Sequence, residues 1–197
     1  MHNTTLTLIF KLQTLIMPKF ILYINAVSPL SLADSDVECF LLETSLPEEF
    51  ITQFAARAAG QNKIVLLNGE KSAALSARLK LDGAVIDVSS SENPVRDFEH
   101  QRKLCAKGAV VGAISRNRRH EAMLLSECEP DFVIFKIWSA GEEGTRRLVK
   151  WYNDLFLIQS AVFCQEDSVN VEGYETDIVI LNENLYKIFV AKKARLD

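Results

Sequence analysis

The chain has 197 residues, enough for one domain with a sizeable core. Its 48% hydrophobic and 24% charged content excludes a disordered chain. A net charge of −4 with no basic face to neutralise phosphates excludes a nucleic-acid partner. The four cysteines, Cys39, Cys105, Cys128 and Cys164, show no Cys-x-x-Cys spacing, which opposes a zinc site or redox dithiol and fits a reducing cytoplasm.

Residues 1–17 read as an extension ahead of the folded unit, with Met17 as an alternative start. Leu6 to Phe10 is apolar, but Lys11 interrupts it before Leu15-Ile16. A membrane span needs roughly 20 apolar residues, so none is expected. A signal peptide wants its positive charge first and a small-residue cleavage site after, and neither is present. Residues 18–197 then make one domain. Phe20–Ile24 is the first strand and Val37–Leu42 the second. Only about a dozen residues separate them, so the helix of a parallel crossover is very short or missing here.

Six further apolar runs follow in a steady rhythm: Lys63–Leu67, Gly83–Asp87, Ala109–Ile114, Asp131–Phe135, Leu157–Phe163 and Asp177–Leu181. They are rich in β-branched or aromatic residues and lack an inner polar stripe. Strands buried on both faces by helices read this way. The segments between them have helical composition. The first carries Ser45 as N-cap, Pro47 in the first turn, Phe50, Ile51, Phe54, Ala55 and Ala58 inward, and Gly60 at its end. Glu70–Leu79 presents Ala74, Leu75 and Leu79. A helix from Asn93-Pro94 to Gly108 uses Val95, Phe98, Leu104 and Cys105. Asn117–Glu127 buries Ala122, Met123 and Leu124. Thr145–Phe156 is amphipathic through Leu148, Val149, Trp151 and Tyr152. Only Gln165 to Glu175 remains for the seventh helix, and Asn184 to Arg195 makes the last. Eight strand–helix units predict a small (β/α)8 barrel with shortened first and seventh helices.

Active sites of such barrels lie at the C-terminal strand ends. Those ends carry Asn25, Glu43, Asn68-Gly69, Asp87, Ser115-Arg116, Lys136, Cys164-Gln165 and Asn182-Glu183. The candidate ligand-binding set is Asn68, Ser115, Arg116 and Lys136. Asn68-Gly69 makes either a ligand-binding turn or a plain tight turn. Arg116 offers a fork suited to an anion. Lys136 offers a phosphate contact, or a Schiff base if desolvated, or is an ordinary surface lysine. Glu43 and Asp87 suit a metal through oxygen or are solvated loop acids. No catalytic residue and no metal site are assigned. The ends of the last two strands, Cys164-Gln-Glu-Asp and Asn182-Glu-Asn, are acidic and lack glycine, which opposes the usual phosphate grip.

The order of segments resembles the thiamine phosphate synthase / TenI family, specifically a divergent bacterial branch. The resemblance runs from Phe20 to Leu185. It is carried by Phe20–Asn25, Ile64–Asn68, Asp82–Ile86, Val110–Ser115 and Glu129–Phe135, with Arg119-His-Glu-Ala-Met123 and Val149-Lys-Trp-Tyr152 matching the branch. The resemblance implies thiamine synthesis: the synthase, a transferase, joins a pyrimidine diphosphate to a thiazole phosphate with magnesium, and TenI relatives aromatise the thiazole. Key groups are replaced here. Leu41-Leu-Glu-Thr-Ser45 stands where the synthase has Gln-x-Arg-x-Lys. Asn68 is kept, but Gly69 replaces a magnesium aspartate, and the second such aspartate falls near Ser90. The Thr-rich loop becomes Lys136-Ile-Trp-Ser-Ala, a Gly-Gly pair becomes Val162-Phe163, and the TenI histidine has no match. Diphosphate departure needs cations to absorb its charge. The resemblance therefore implies a degenerate site, weakly active or inactive, that binds a phosphorylated pyrimidine or thiazole or a partner protein. Magnesium is expected only if synthase activity is retained, no membrane partner is expected, and a homo-oligomer is compatible. An active synthase with a rebuilt site is the rival. A third reading is a non-enzymatic interaction barrel, with its pocket filled by Trp138, Val162 or Phe163.

Overall fold

The computed structural model describes residues 19–137, 141–164 and 174–193. The extension of residues 1–17, most of the seventh-helix segment and Trp138 lie outside them. Eight parallel strands close into a barrel in sequence order. They are β1 Lys19–Ile24, β2 Cys39–Glu43, β3 Ile64–Asn68, β4 Gly83–Asp87, β5 Val110–Ile114, β6 Phe132–Ile137, β7 Gln159–Cys164 and β8 Ile178–Asn182. Closure comes from β8 pairing with β1, Lys19 against Ile178 through Tyr23 against Asn182. All eight expected strands are present.

The six α-helices of the described residues are α1 Glu48–Ala59, α2 Ser72–Leu79, α3 Pro94–Arg102, α4 Arg119–Glu127, α5 Glu142–Leu155 and α6 Glu183–Lys193. A single 3-10 turn, Leu30–Asp34, stands where the first helix belongs, as the short β1–β2 segment predicts. Lys63 pins it by donating to the carbonyls of Ala33 (2.7 Å) and Ser35.

Helix ends differ from the sequence reading for local reasons. α1 begins after Pro47, whose φ of −55° is fixed by its ring, and Ser45 is not its cap. α3 stops at Arg102, because Leu104 and Cys105 turn back onto Gln101 and Arg102 rather than continuing the helical ladder; Leu104 is 47% exposed. α4 starts at Arg119, since the Asn117 side chain is drawn to the Lys136 carbonyl (2.6 Å) and Thr145 (3.0 Å). Its inward face is Ala122, Leu125 and Ser126, leaving Met123 37% exposed. α2 buries Ser72, Ala73 and Ser76 in place of Ala74; the Ser72 hydroxyl donates to the Val85 carbonyl at 2.7 Å.

Side chains alternate between lumen and helix layer along each strand. Ile21, Leu41, Leu66, Val85, Ile134, Ala161 and Ile180 belong to one cluster inside the barrel. Leu22, Leu42 and Leu67 pack outward with α1, and Val133, Phe135 and Val162 outward with α5. Gly112 faces the lumen where a Cβ would meet the Phe132 ring at 2.6 Å.

A carboxylate guards the entry of every even strand from β4 onward. Asp82 accepts the Val65 amide at 2.8 Å, Asp131 the Val111 amide at 2.7 Å and Asp177 the Ser160 amide at 2.8 Å. Each ties an incoming strand to the one before it. Asp82→Ala leaves the amide of buried Val65 without an acceptor. The expected cost is about 1–3 kcal/mol in a denaturant titration, with unchanged slope. A loss below about 0.5 kcal/mol would remove this clamp from the account of stability.

Candidate active site at the C-terminal mouth

The lumen is apolar until its last layer. Two residues beyond the inward Ile21, Leu41, Leu66, Val85, Ile134 and Ile180 stand Tyr23, Glu43, Asn68, Asp87, Lys136 and Asn182. Pairing sets Glu43 beside Asn68 and Tyr23 beside Asn182. The alternation therefore gathers a polar ring at the C-terminal mouth, with Tyr23 and Phe163 stacked edge-on across it at 4.8 Å.

Two groups of contacts divide this ring. Glu43 Oε1 accepts from the Tyr23 hydroxyl at 2.6 Å and from Asn68 Nδ2. Among the described residues its other oxygen, Oε2, receives no hydrogen bond. Gly69, at φ +113°, lies against it: an added Cβ would sit 2.8 Å from Oε2. Glycine there is required twice, by the backbone and by the carboxylate. Burial, and then the bond to Glu43, raise the Tyr23 phenol well above its ordinary range, so it stays a donor. The second group is the Lys136–Asp87 ion pair at 2.6 Å. β4 and β6 are not neighbours, so this pair spans the space in front of β5. Burial pushes the Asp87 carboxyl up, but bonds from Lys136 and Ser89 outweigh it and hold the group below its usual value.

The structure places all four candidate ligand residues at strand ends, but in different situations. Asn68 and Ser115 are buried, and Asn68 Oδ1 and the Ser115 hydroxyl have no partner among the described residues. Lys136 reaches the mouth. Arg116 is instead a brace: its guanidinium donates to the carbonyls of Ser89 (2.6 Å) and Ser91 (2.9 Å) and meets Glu121 at 3.4 Å. Its sequence neighbours do not reveal this, because the acceptors lie in the loop after β4. The strand-end reading passes over Tyr23, whose signal is the inward phase of β1. Of the side chains expected to fill a non-enzymatic pocket, Val162 packs outward and Phe163 faces the lumen.

Among the described residues no three His, Cys, Asp or Glu side chains converge on a metal position. The donors present do not fit magnesium. Asp87 is already matched by an ammonium, and Gly69 offers no carboxylate. A separate cavity of about 460 Å³ opens at the opposite end of the barrel. Ile21, Ile64, Leu66, Val110 and Phe132 are among its lining residues, so the interior cluster separates it from the polar ring. No described helix is long and apolar enough to cross a membrane.

A closed ring of eight parallel strands with helices outside it is a (β/α)8 barrel. No family model and no curated protein matches the sequence. Solved structures of the same fold do. Tryptophan synthase subunit alpha from Legionella pneumophila aligns with a TM-score of 0.67 at 11% identity, over 97% of this chain and 90% of its own. The YdjI aldolase from Escherichia coli K12 gives 0.65 at 13%, over 91% and 81%. Citrate synthase SbnG gives 0.65 at 12%, over 91% of both chains. At these identities the likeness is one of fold.

The ion pair makes a pH prediction. Because the folded carboxyl of Asp87 titrates below its unfolded value near 3.8, its contribution is complete above that pH. It is lost as pH falls through the lower folded value. Asp87→Asn should lower the melting temperature at neutral pH, and the gap to wild type should narrow in acid below about pH 4. A gap constant across that range would remove the pair as a source of stability.

Proposed function

We propose that the protein is a lyase of the aldolase type, acting on a carbonyl compound through an imine at Lys136. The observation that carries this is the placement of Lys136 in the lumen mouth, its side chain only 20% exposed, across from the poised carboxylate of Glu43. Their strands, β6 and β2, are four apart in a ring of eight, so a substrate lies between them. The fold likeness to an aldolase agrees with this reading.

In the reaction, Asp87 takes a proton from its ion-pair partner Lys136, the freed Nζ attacks the carbonyl carbon to form a C–N bond, and the carbonyl oxygen leaves as water with the proton that Asp87 returns, giving the iminium. Glu43 Oε2 takes the proton of the substrate's β-hydroxyl. The Cα–Cβ bond breaks, and its electron pair flows into the iminium, giving an aldehyde and an enamine. Glu43 returns the proton to Cα, and water hydrolyses the imine to free the lysine. Tyr23 and Asn68 hold Oε1 so that Oε2 faces the substrate. The four cysteines, none in a disulfide, support a cytoplasmic location.

Borohydride with dihydroxyacetone should leave a reduced adduct that mass spectrometry maps to Lys136. Lys136→Met should abolish it. Glu43→Gln should retain the adduct while reducing carbon–carbon cleavage about 10²–10⁴-fold. Labelling spread over surface lysines and unaffected by Lys136→Met would sink the proposal.

A second reading, a thiamine phosphate synthase-like barrel binding a phosphorylated pyrimidine or thiazole, is favoured by Asn68. It keeps the family's residue at the end of β3 and holds an unpartnered buried oxygen. Thiazole phosphate or pyrimidine diphosphate at 100 times its dissociation constant should then add about 2.7 kcal/mol of stability. No thermal shift with either, with or without magnesium, would dismiss it.

A further inference from the structure

We infer that the substrate is an unphosphorylated, hydroxyl-bearing carbonyl compound; this rests on the imine reading of Lys136. The inference comes from the groups the mouth offers a ligand. Its inward cation, Lys136, is matched by Asp87, and Arg116 is spent on Ser89, Ser91 and Glu121. Lys71 stands 81% exposed on the outer rim beside Glu70, and Arg118 is exposed at the start of α4. Carboxylates are more plentiful: Glu43 and Asp87 in the ring, and Glu183 at the end of β8. A phosphate dianion entering this mouth meets repulsion from Glu43 and Glu183, with no free fork among the described residues to receive it.

The helix that follows β8 points the same way. The first turn of a helix in that position is a common phosphate seat in such barrels. Here α6 begins with Glu183 directly after the strand. The Asn182 side chain accepts the Leu185 amide at 2.8 Å, and Glu183 reaches Ser28 at 3.3 Å and Lys187 at 2.6 Å. One donor of that turn is already satisfied, and the charge beside it is negative.

What the mouth leaves open is neutral. Asn68 Oδ1 is a buried acceptor with no donor among the described residues. A buried acceptor calls for a hydrogen to be delivered to it. A hydroxyl supplies one, whereas a phosphate oxygen repels it.

The test compares matched probes on the full chain: dihydroxyacetone against dihydroxyacetone phosphate, and glyceraldehyde against glyceraldehyde 3-phosphate. Borohydride-trapped adduct at Lys136 should favour the unphosphorylated member of each pair by about tenfold. Glu183→Gln should raise the share of phosphorylated adduct. An equal or greater yield from the phosphorylated probes overturns the inference while leaving the imine reading standing. A thermal-shift series with the same probes reads binding without the covalent step. Stabilisation by the unphosphorylated probes alone, with no adduct, supports this substrate class and overturns the imine. Stabilisation by the phosphorylated probes alone overturns the substrate class. No response in either assay overturns both.

Discussion

One residue of strand register separates a lumen mouth carrying Glu43, Asn68, Asp87 and Lys136 from one carrying Leu42, Leu67, Ile86 and Phe135. Side chains on a strand alternate with a period of two, so a slip by one position turns the whole set around. The candidate site therefore depends on register before it depends on any contact inside it. The carboxylates at strand entry serve that requirement. Asp82, Asp131 and Asp177 each hold a named amide of the preceding strand, at the end of the barrel furthest from the polar ring. A slip would strand a buried donor and an acceptor together, which is why short strands suffice here.

The polar ring then works by division. On one side, two donors converge on a single oxygen of Glu43 and fix its orientation, while Gly69 keeps the space beside the other oxygen clear. On the other side, Lys136 and Asp87 neutralise one another across β5. The apolar floor of Ile114, Ile134 and Phe163 lies among these groups. Charged groups held over such a floor are more strongly felt than in water. An ion pair and an oriented carboxylate are thus kept apart by geometry, ready for different tasks.

Much of the fold is legible in the sequence, because strands buried on both faces leave continuous apolar runs. The missing first helix is legible from chain length alone. Helix ends are not, because side chains from elsewhere decide them: Asn117 is claimed by Lys136 and Thr145 before it can start α4. The site is half legible. Reading the strand ends finds Asn68, Ser115, Arg116 and Lys136, but it leaves Glu43 and Asp87 as either metal ligands or loop acids and passes over Tyr23. Their roles depend on phase along the strand and on partners 20 to 49 residues away. Arg116 shows the opposite error. Its residue type suits an anion, but two carbonyls from another loop take it first.

The entry clamps also bear on how the chain reaches this state. Each links residues only 17 to 20 apart. Neighbouring strands can thus pair while the rest of the chain is still being made, and such local contacts form quickly. The seam between β8 and β1 is different, joining Lys19 to Ile178. During synthesis β1 waits with one edge unpaired until β8 has left the ribosome. An unpaired edge of this kind is open to pairing with other chains, and closing it brings together the two strands furthest apart in sequence.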